Sequence, residues 1–203
     1  AYRLRFTPDG GGFSLFGDHA VTAWSGVRAE SPQGFLLYLR DPDRGRFRIL
    51  RPRIPRRGRD GRAARPGVVV VETEFERVTV RLEICVAGDL ELRRLALANR
   101  SPSARRIEIT SFIEPVLNPP AAHAAHPVFS KLFLETEHDP ERDLLLVRRR
   151  PRGAHERHPV LFHALSGVPA AGHETDRARF VGRGRSLRAP RVLATGAALS
   201  GTT

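Results

Sequence analysis

Cysteine is almost missing from this chain: Cys85 stands alone among 203 residues. A single thiol excludes an internal disulfide framework. Its place in the alternating run VTVRLEICVA predicts a thiol within or against a sheet, where free cysteines commonly sit. No neighbouring His marks it as an activated nucleophile, and one unpaired thiol fits a reducing, intracellular compartment. Lysine is scarcer still relative to the charge. The net charge is +12 and the pI near 11.4, yet Lys131 is the only lysine and 33 of the 34 basic residues are arginine. That imbalance reads as a composition bias that replaces lysine everywhere. The arginines scatter through strands and loops without the aromatic-interleaved stripe of an RNA-binding surface. Nucleic acid is therefore set aside as a partner, although the charge alone invites it.

Long apolar runs are missing too. No stretch approaches the roughly 18 apolar residues of a membrane-spanning helix, and the mean hydropathy is −0.32. No basic segment followed by an apolar one opens the chain, so no secretory signal is expected. The chain starts directly on AYRLRF, without Met, and reads as a piece of a longer polypeptide. Sustained 3.6-residue periodicity is absent from every segment of a dozen residues.

Strand signals dominate what is there. VVVVETEF (68–75), VTVRLEICV (78–86) and DLELRRLALAN (89–99) follow closely, then RRIEITSFIEPVL (105–117), VFSKLFLETEHD (128–139), DLLLVRRR (143–150) and PVLFHALSG (159–167). In 78–86, Val78, Val80, Leu82, Ile84 and Val86 share one parity, the pattern of a half-buried antiparallel strand. The next run changes phase between Leu90/Leu92 and Leu95/Leu97, which predicts a bulge near Arg93–Arg94. Short polar links such as Ala87-Gly88-Asp89 and Asn99 to Ser103 supply hairpin turns. The fold class is all-β, a large antiparallel β-sandwich formed as a single domain over 1–203. The arginine-rich stretch 51–67 reads as a flexible solvated loop, and 118–129 as a structured excursion bounded by prolines that fix φ.

Candidate chemistry is sparse. His123 and His126 are three apart, but Pro127 ends any helix there and no Cys or further His lies at metal-ligand spacing. No G-x-S-x-G elbow marks a nucleophile. Asp18, Asp41, Glu114, Glu135 and Glu137 offer carboxylates, and with so many arginines near they are expected to form ion pairs instead of a glycosidic acid pair. Gly10-Gly11-Gly12 makes a permissive turn before FSLF. The stretch HETDRARFVGRGRSLR (173–188) packs five arginines and two glycines into sixteen residues. Its Gly182-x-Gly184 spacing matches neither dinucleotide nor Walker A loops. Planar guanidinia beside glycines suit a sugar hydroxyl or a facing carboxylate.

Six blocks, taken in order, carry a resemblance: TPDGGGFSLFGDHAVTAW, GFLLYLRD, LELRRLALANRS, IEITSFIEPVL, AAHPVFSKLFLETE and ETDRARFVGRGRSLR. The chain resembles, from about Thr7 to Thr203, the β-supersandwich domain of the cyclic β-1,2-glucan synthases. It is similar also to their cellobiose- and chitobiose-phosphorylase-like relatives (glycoside hydrolase family 94, formerly glycosyltransferase family 36). The resemblance departs at Phe16-Gly17-Asp18, where relatives carry an aromatic-Arg-Asp triplet, and in the 51–67 loop.

That resemblance implies a two-sheet supersandwich of galactose-mutarotase type. In such enzymes this domain packs on an (α/α)6 barrel of the same polypeptide, which holds the catalytic Asp and the inorganic phosphate. No catalytic, cofactor or metal residue is then expected in this chain. The implied contacts with the barrel or with β-glucan are Asp176, Arg177, Gly182, Arg183, Gly184 and Arg185. Here 173–188 is expected to form a strand entering at Glu174 to Arg177 and a tight exit turn at Gly182 to Arg185. The resemblance further implies more strands beyond LSGTT, so an incomplete sandwich, and allows a homodimer. It places the domain on the cytoplasmic face of the inner membrane within a larger enzyme, or in the cytoplasm, without membrane contact of its own. Two other functions remain open on the residues alone. One is a free-standing module that binds sugars or a polyanion through its arginines. The other is a mutarotase-like enzyme, which needs a His and a Glu converging on one concave face.

Overall fold

The computed structural model describes residues 1–6, 12–23, 34–50 and 67–203. The first strands are β1 (Tyr2–Phe6), β2 (Gly12–Phe16), β3 (His19–Thr22), β4 (Phe35–Asp41) and β5 (Arg46–Leu50). Then come β6 (Val68–Phe75), β7 (Val78–Ala87), β8 (Leu90–Asn99), β9 (Glu108–Ile113) and β10 (Pro115–Asn118). Two short helices, α1 (Pro120–Ala125) and α2 (Pro127–Lys131), precede β11 (Leu134–Asp139), β12 (Leu144–Arg149) and β13 (Leu161–Ala164). Helices α3 (Arg177–Val181) and α4 (Arg191–Thr195) come last. The architecture is all-β, and every described pairing is antiparallel. Hydrogen bonding divides the strands into four sheets, ordered β1-β2-β3-β10, β5-β4-β9, β6-β7-β8 and β11-β12-β13. The arginine-rich stretch 51–66, the Gly10-Gly11 pair and Trp24 lie outside the described residues.

The expected parity of β7 sets the main core. Val78, Val80, Leu82 and Ile84 are each at most 2% exposed, and only Val86, at the hairpin end, reaches the surface. They meet Leu37 and Leu39 of β4, Leu50 of β5, and Val71 and Phe75 of β6. Fully burying one such side chain stabilises by about 1.5–3 kcal/mol. The opposite face of β4 carries Leu36 and Tyr38, and α3 and α4 cover it with Phe180, Val181, Val192 and Leu193. The β5-β4-β9 sheet is therefore a middle layer, with a sheet on one side and two short helices on the other.

The expected bulge in β8 is not formed. β7 and β8 pair one to one from Val78↔Asn99 to Ala87↔Leu90. The phase change survives because the inner face at positions 91 and 93 carries a charge pair in place of apolar residues. Glu91 and Arg93 are 10% and 11% exposed and meet at 2.5 Å. Glu91 Oε2 also accepts hydrogen bonds from the Tyr2 hydroxyl at 2.8 Å and from Ser14 Oγ at 2.7 Å. Arg93 stacks 3.9 Å above the Phe35 ring. Leu90 and Leu92 consequently face outward, 41% and 47% exposed. Burial pulls Arg93 below its ordinary pKa, opposed by the Glu91 carboxylate. Burial, with help from Glu91, pushes the Tyr2 hydroxyl up.

The sequence-expected strand 105–117 breaks at Glu114 into β9 and β10, and an irregularity does occur there. The register of β10 against β3 shifts between Pro115 and Asn118, where the fully buried Leu117 adopts φ 50°. The expected strand 128–139 is likewise halved. Its first part is α2, because Pro127 fits the first turn of a helix, where its missing N–H costs nothing.

Removing one partner of a nearly buried ion pair leaves the other charge uncompensated. Arg93→Leu or Glu91→Leu alone should therefore cost about 3–5 kcal/mol, and the double substitution far less than the sum. Urea unfolding of the four proteins in a double-mutant cycle measures this coupling.

Candidate functional site

The stretch 173–188 is helical at its centre, not a strand. Asp176 caps α3, its Oδ1 accepting from the Ala178 and Arg179 amides at 2.7 and 3.2 Å. Gly182 ends the helix at φ 83°, its amide bonded to the Ala178 carbonyl at 2.8 Å. A Cβ at Gly182 would come within 2.7 Å of Arg191 Cβ, so glycine there also lets α3 and α4 approach. The segment is anchored from below. Phe180 stacks on Phe112 of β9 at 5.2 Å. The Tyr38 hydroxyl donates to the Leu187 carbonyl at 2.8 Å, and Arg40 Nε to the Leu193 carbonyl at 3.0 Å. The strand expectation failed because a five-residue helix is too short to show its period. The usable signal was the bracket of Asp176 before and Gly182 after.

The six expected contact residues separate by role. Asp176 and Gly182 shape α3, and Gly184 sits at φ 70° in the following turn. Arg177 Nε approaches Glu114 Oε1 at 3.4 Å. The same carboxylate accepts from Lys131 at the end of α2, so Glu114 ties both helices to the β9–β10 junction. Arg183 and Arg185 are exposed and make no side-chain hydrogen bond or ion pair among the described residues. They are the arginines of the set without an internal side-chain partner among the described residues.

Sequence reasoning missed a cavity of about 620 Å³ between β9, the β11-β12-β13 sheet and the segments 170–177 and 196–199. Three histidines line it. His163 Nε2 bonds Ser111 Oγ at 2.7 Å, and its pKa is lowered by burial, then by the Arg93 charge. His138 stacks on His173 at 4.1 Å and approaches Asp143 at 3.7 Å. The cavity's carboxylates are engaged by donors. Asp143 accepts from the Ala170 amide at 2.7 Å. Glu174 accepts from Ser200 Oγ at 2.6 Å and Thr202 Oγ1 at 3.1 Å. Burial works to raise the Glu174 pKa, but the Ser200 and other hydrogen bonds prevail and hold it below the ordinary carboxylate range.

The other acids behave as the arginine count suggested. Buried Asp41 pairs with Arg105 and Arg44, Glu135 with Arg150, and Glu137 with Arg148. Asp18 instead meets His19 at 2.7 Å. His123 is buried on α1 whereas His126 is exposed between α1 and α2, and no group of three or more metal-ligating residues occurs among the described residues. Cys85 is half-buried on the outer face of β7.

A second surface feature is apolar. Val128, Phe129 and Leu132, on α2 and the residue after it, are 80%, 50% and 68% exposed. Phe129 meets Phe133 edge-on at 5.2 Å, and the guanidinia of Arg149, Arg150 and Arg152 gather within 6 Å of the Phe133 ring.

Antiparallel sheets in layers, with short helices over one face, describe an all-β sandwich module. The chain belongs to the glycosyl hydrolase 94 supersandwich domain family, whose model matches residues 1–203. It is 33% identical, over 217 aligned positions, to the cyclic beta-(1,2)-glucan synthase NdvB of Rhizobium meliloti (strain 1021). That alignment covers 99% of this chain and 7% of the relative, so the chain spans a small fraction of the relative's length.

Asp176→Ala should cost about 1 kcal/mol, the usual loss for an N-cap. Gly182→Ala should cost more, because it adds a clash with Arg191 to a positive φ. Thermal unfolding of both variants gives the ranking.

Proposed function

We propose that residues 1–203 are a non-catalytic supersandwich module of a cyclic β-1,2-glucan synthase-like enzyme. The module packs on an (α/α)6 catalytic barrel of the same polypeptide and helps to guide the glucan. The observation that carries this reading is the pairing of an uncovered apolar helix with uncommitted guanidinia. Val128, Phe129 and Leu132 form an exposed apolar patch of the kind that marks an interaction site. Arg183 and Arg185 present planar donors that suit sugar hydroxyls or carboxylates on the partner surface. Glu114 fixes α2 and α3 to the same strand junction, so the two features move as one.

Family membership and the relative's name support the carbohydrate assignment. The engagement of Glu114, Asp143 and Glu174 by internal donors supports a module without its own acid–base pair, and weighs against a mutarotase-like reaction here. Inorganic phosphate, in this reading, is bound by the barrel. No helix among the described residues is long and apolar enough to cross a membrane. The module's place at the cytoplasmic side of a membrane enzyme is part of the proposal.

The test is made in the full-length enzyme. Val128→Asp with Leu132→Asp should lower glucan synthesis at least about tenfold, since charges in a docked apolar interface cost several kcal/mol. Arg183→Ala with Arg185→Ala should alter product length with a smaller loss of rate. Both pairs should leave the melting temperature of the 1–203 segment unchanged. Wild-type rate and product distribution in both variants would overturn the reading.

A further inference from the structure

Two cations clasp α2 against the sheets. Arg149 of β12 is 7% exposed and forms no ion pair among the described residues; its Nη1 donates instead to the Ser130 carbonyl at 2.6 Å. Lys131, the next residue of the helix, pairs with Glu114, a carboxylate already shared with Arg177. Asn118, at the end of β10, reaches the buried Ser130 hydroxyl at 3.4 Å.

His123 lies beside this clasp, on α1. It is 9% exposed, its Nδ1 is buried without a partner, and its ring makes no hydrogen bond among the described residues. The charges that face it are Lys131 from α2, Glu114 from the β9–β10 junction and Arg149 from β12. β10 and the rest of α1 carry no charged side chain, and His126, between the helices, is exposed. A neutral imidazole suits such a place and an imidazolium does not. Protonation would bring a second N–H donor to a ring with no bonded acceptor and add a positive charge beside Lys131 and Arg149. Burial, then the Lys131 charge, holds the His123 pKa below its ordinary value, and Glu114 opposes them. A histidine of this kind takes up a proton when it is released. The packed arrangement is therefore fully favoured above about pH 6.5 and loses ground as pH falls below it.

We propose that His123 is an acid-operated latch on the α1–α2 unit. Protonation of its imidazole loosens residues 119–132 from β10 and β12. Val128, Phe129 and Leu132 then lose the fixed arrangement in which they face outward. The latch itself rests on the burial of His123 and the cations around it. Only its consequence, that mild acid uncouples the module from its barrel, rests on the docking reading.

Hydrogen–deuterium exchange of the full-length protein at about pH 7 and about pH 5.5, corrected for the pH dependence of intrinsic exchange, is the test. On peptides covering 118–132, protection should fall at least about threefold across this interval, and by at most about tenfold per pH unit for one proton. Peptides in β7 should keep theirs. His123→Phe retains a ring in the slot and loses no hydrogen bond, and His123→Gln retains polarity without titrating. Both should make the protection of 118–132 independent of pH, whereas His126→Gln should leave the acid response in place. Unchanged wild-type protection at the lower pH overturns the proposal, and so does an acid response that survives in both His123 variants. A parallel loss in β7 also overturns it, because acid would then loosen the whole sandwich. Glucan synthesis by the Val128→Asp, Leu132→Asp protein tests docking without reference to pH, so failure of that reading and failure of the latch register separately.

Discussion

The carboxylate of Glu91 begins a chain of contacts that links all four sheets. It receives Tyr2 and Ser14 from the first sheet and binds Arg93 on its own strand. Arg93 lies over Phe35 of the middle sheet, and the Phe35 ring sits 5.7 Å from His163 of the last. Apolar contacts among four small sheets would tolerate sliding by a residue pair. A desolvated charge with a fixed set of donors does not, because every slip strands a donor or the carboxylate away from water. The network therefore specifies how the layers register, a role distinct from the bulk stability that Val78 to Ile84 provide.

The two faces of the middle sheet are covered by different means. Toward β6, β7 and β8 the cover is another sheet, built from residues close in sequence. Toward α3 and α4 the cover comes from residues more than a hundred positions later, held by backbone carbonyls that accept from Tyr38 and Arg40. Those two side chains bond to the main chain of the covering segment, and its own Phe180, Val181, Val192 and Leu193 pack beneath it, so the outward-facing residues of the turn add little to its hold. This leaves the exposed arginines of the turn free to vary in function without loosening the fold.

The strands from β6 onward were legible as alternating or continuous apolar runs, and β6, β7 and β12 match their expected bounds closely, whereas β3, β4 and β5 were not read as strands. The legibility ended wherever the face did not obey hydrophobicity. Glu91 and Arg93 occupy inward positions as a mutually satisfied pair, and a rule that sends charges outward turns them into a bulge that is absent. Helices α2 and α3 were lost for another reason: at five residues each, neither completes the two turns that periodicity requires, and only their bracketing residues betray them. Of the expected contact residues, Arg183 and Arg185 are exposed, whereas Arg177 pairs with Glu114. The cavity's walls are brought together from β9, β11 to β13 and the segments 170–177 and 196–199 by tertiary packing, so of the six expected contacts only Asp176 and Arg177 fall on its lining.

Lys131 gives the molecule an unusual chemical handle. The other 33 residues of the Lys and Arg count are guanidinia, so Lys131 offers the single ε-amine in these 203 residues. That amine sits on Glu114, the carboxylate shared with Arg177. Acetylation of Lys131 would thus neutralise one of the two cations that bind α2 and α3 to the sheet junction. Within this segment, a reagent ordinarily used to sample surfaces at random becomes, at its one lysine, a reporter of that joint.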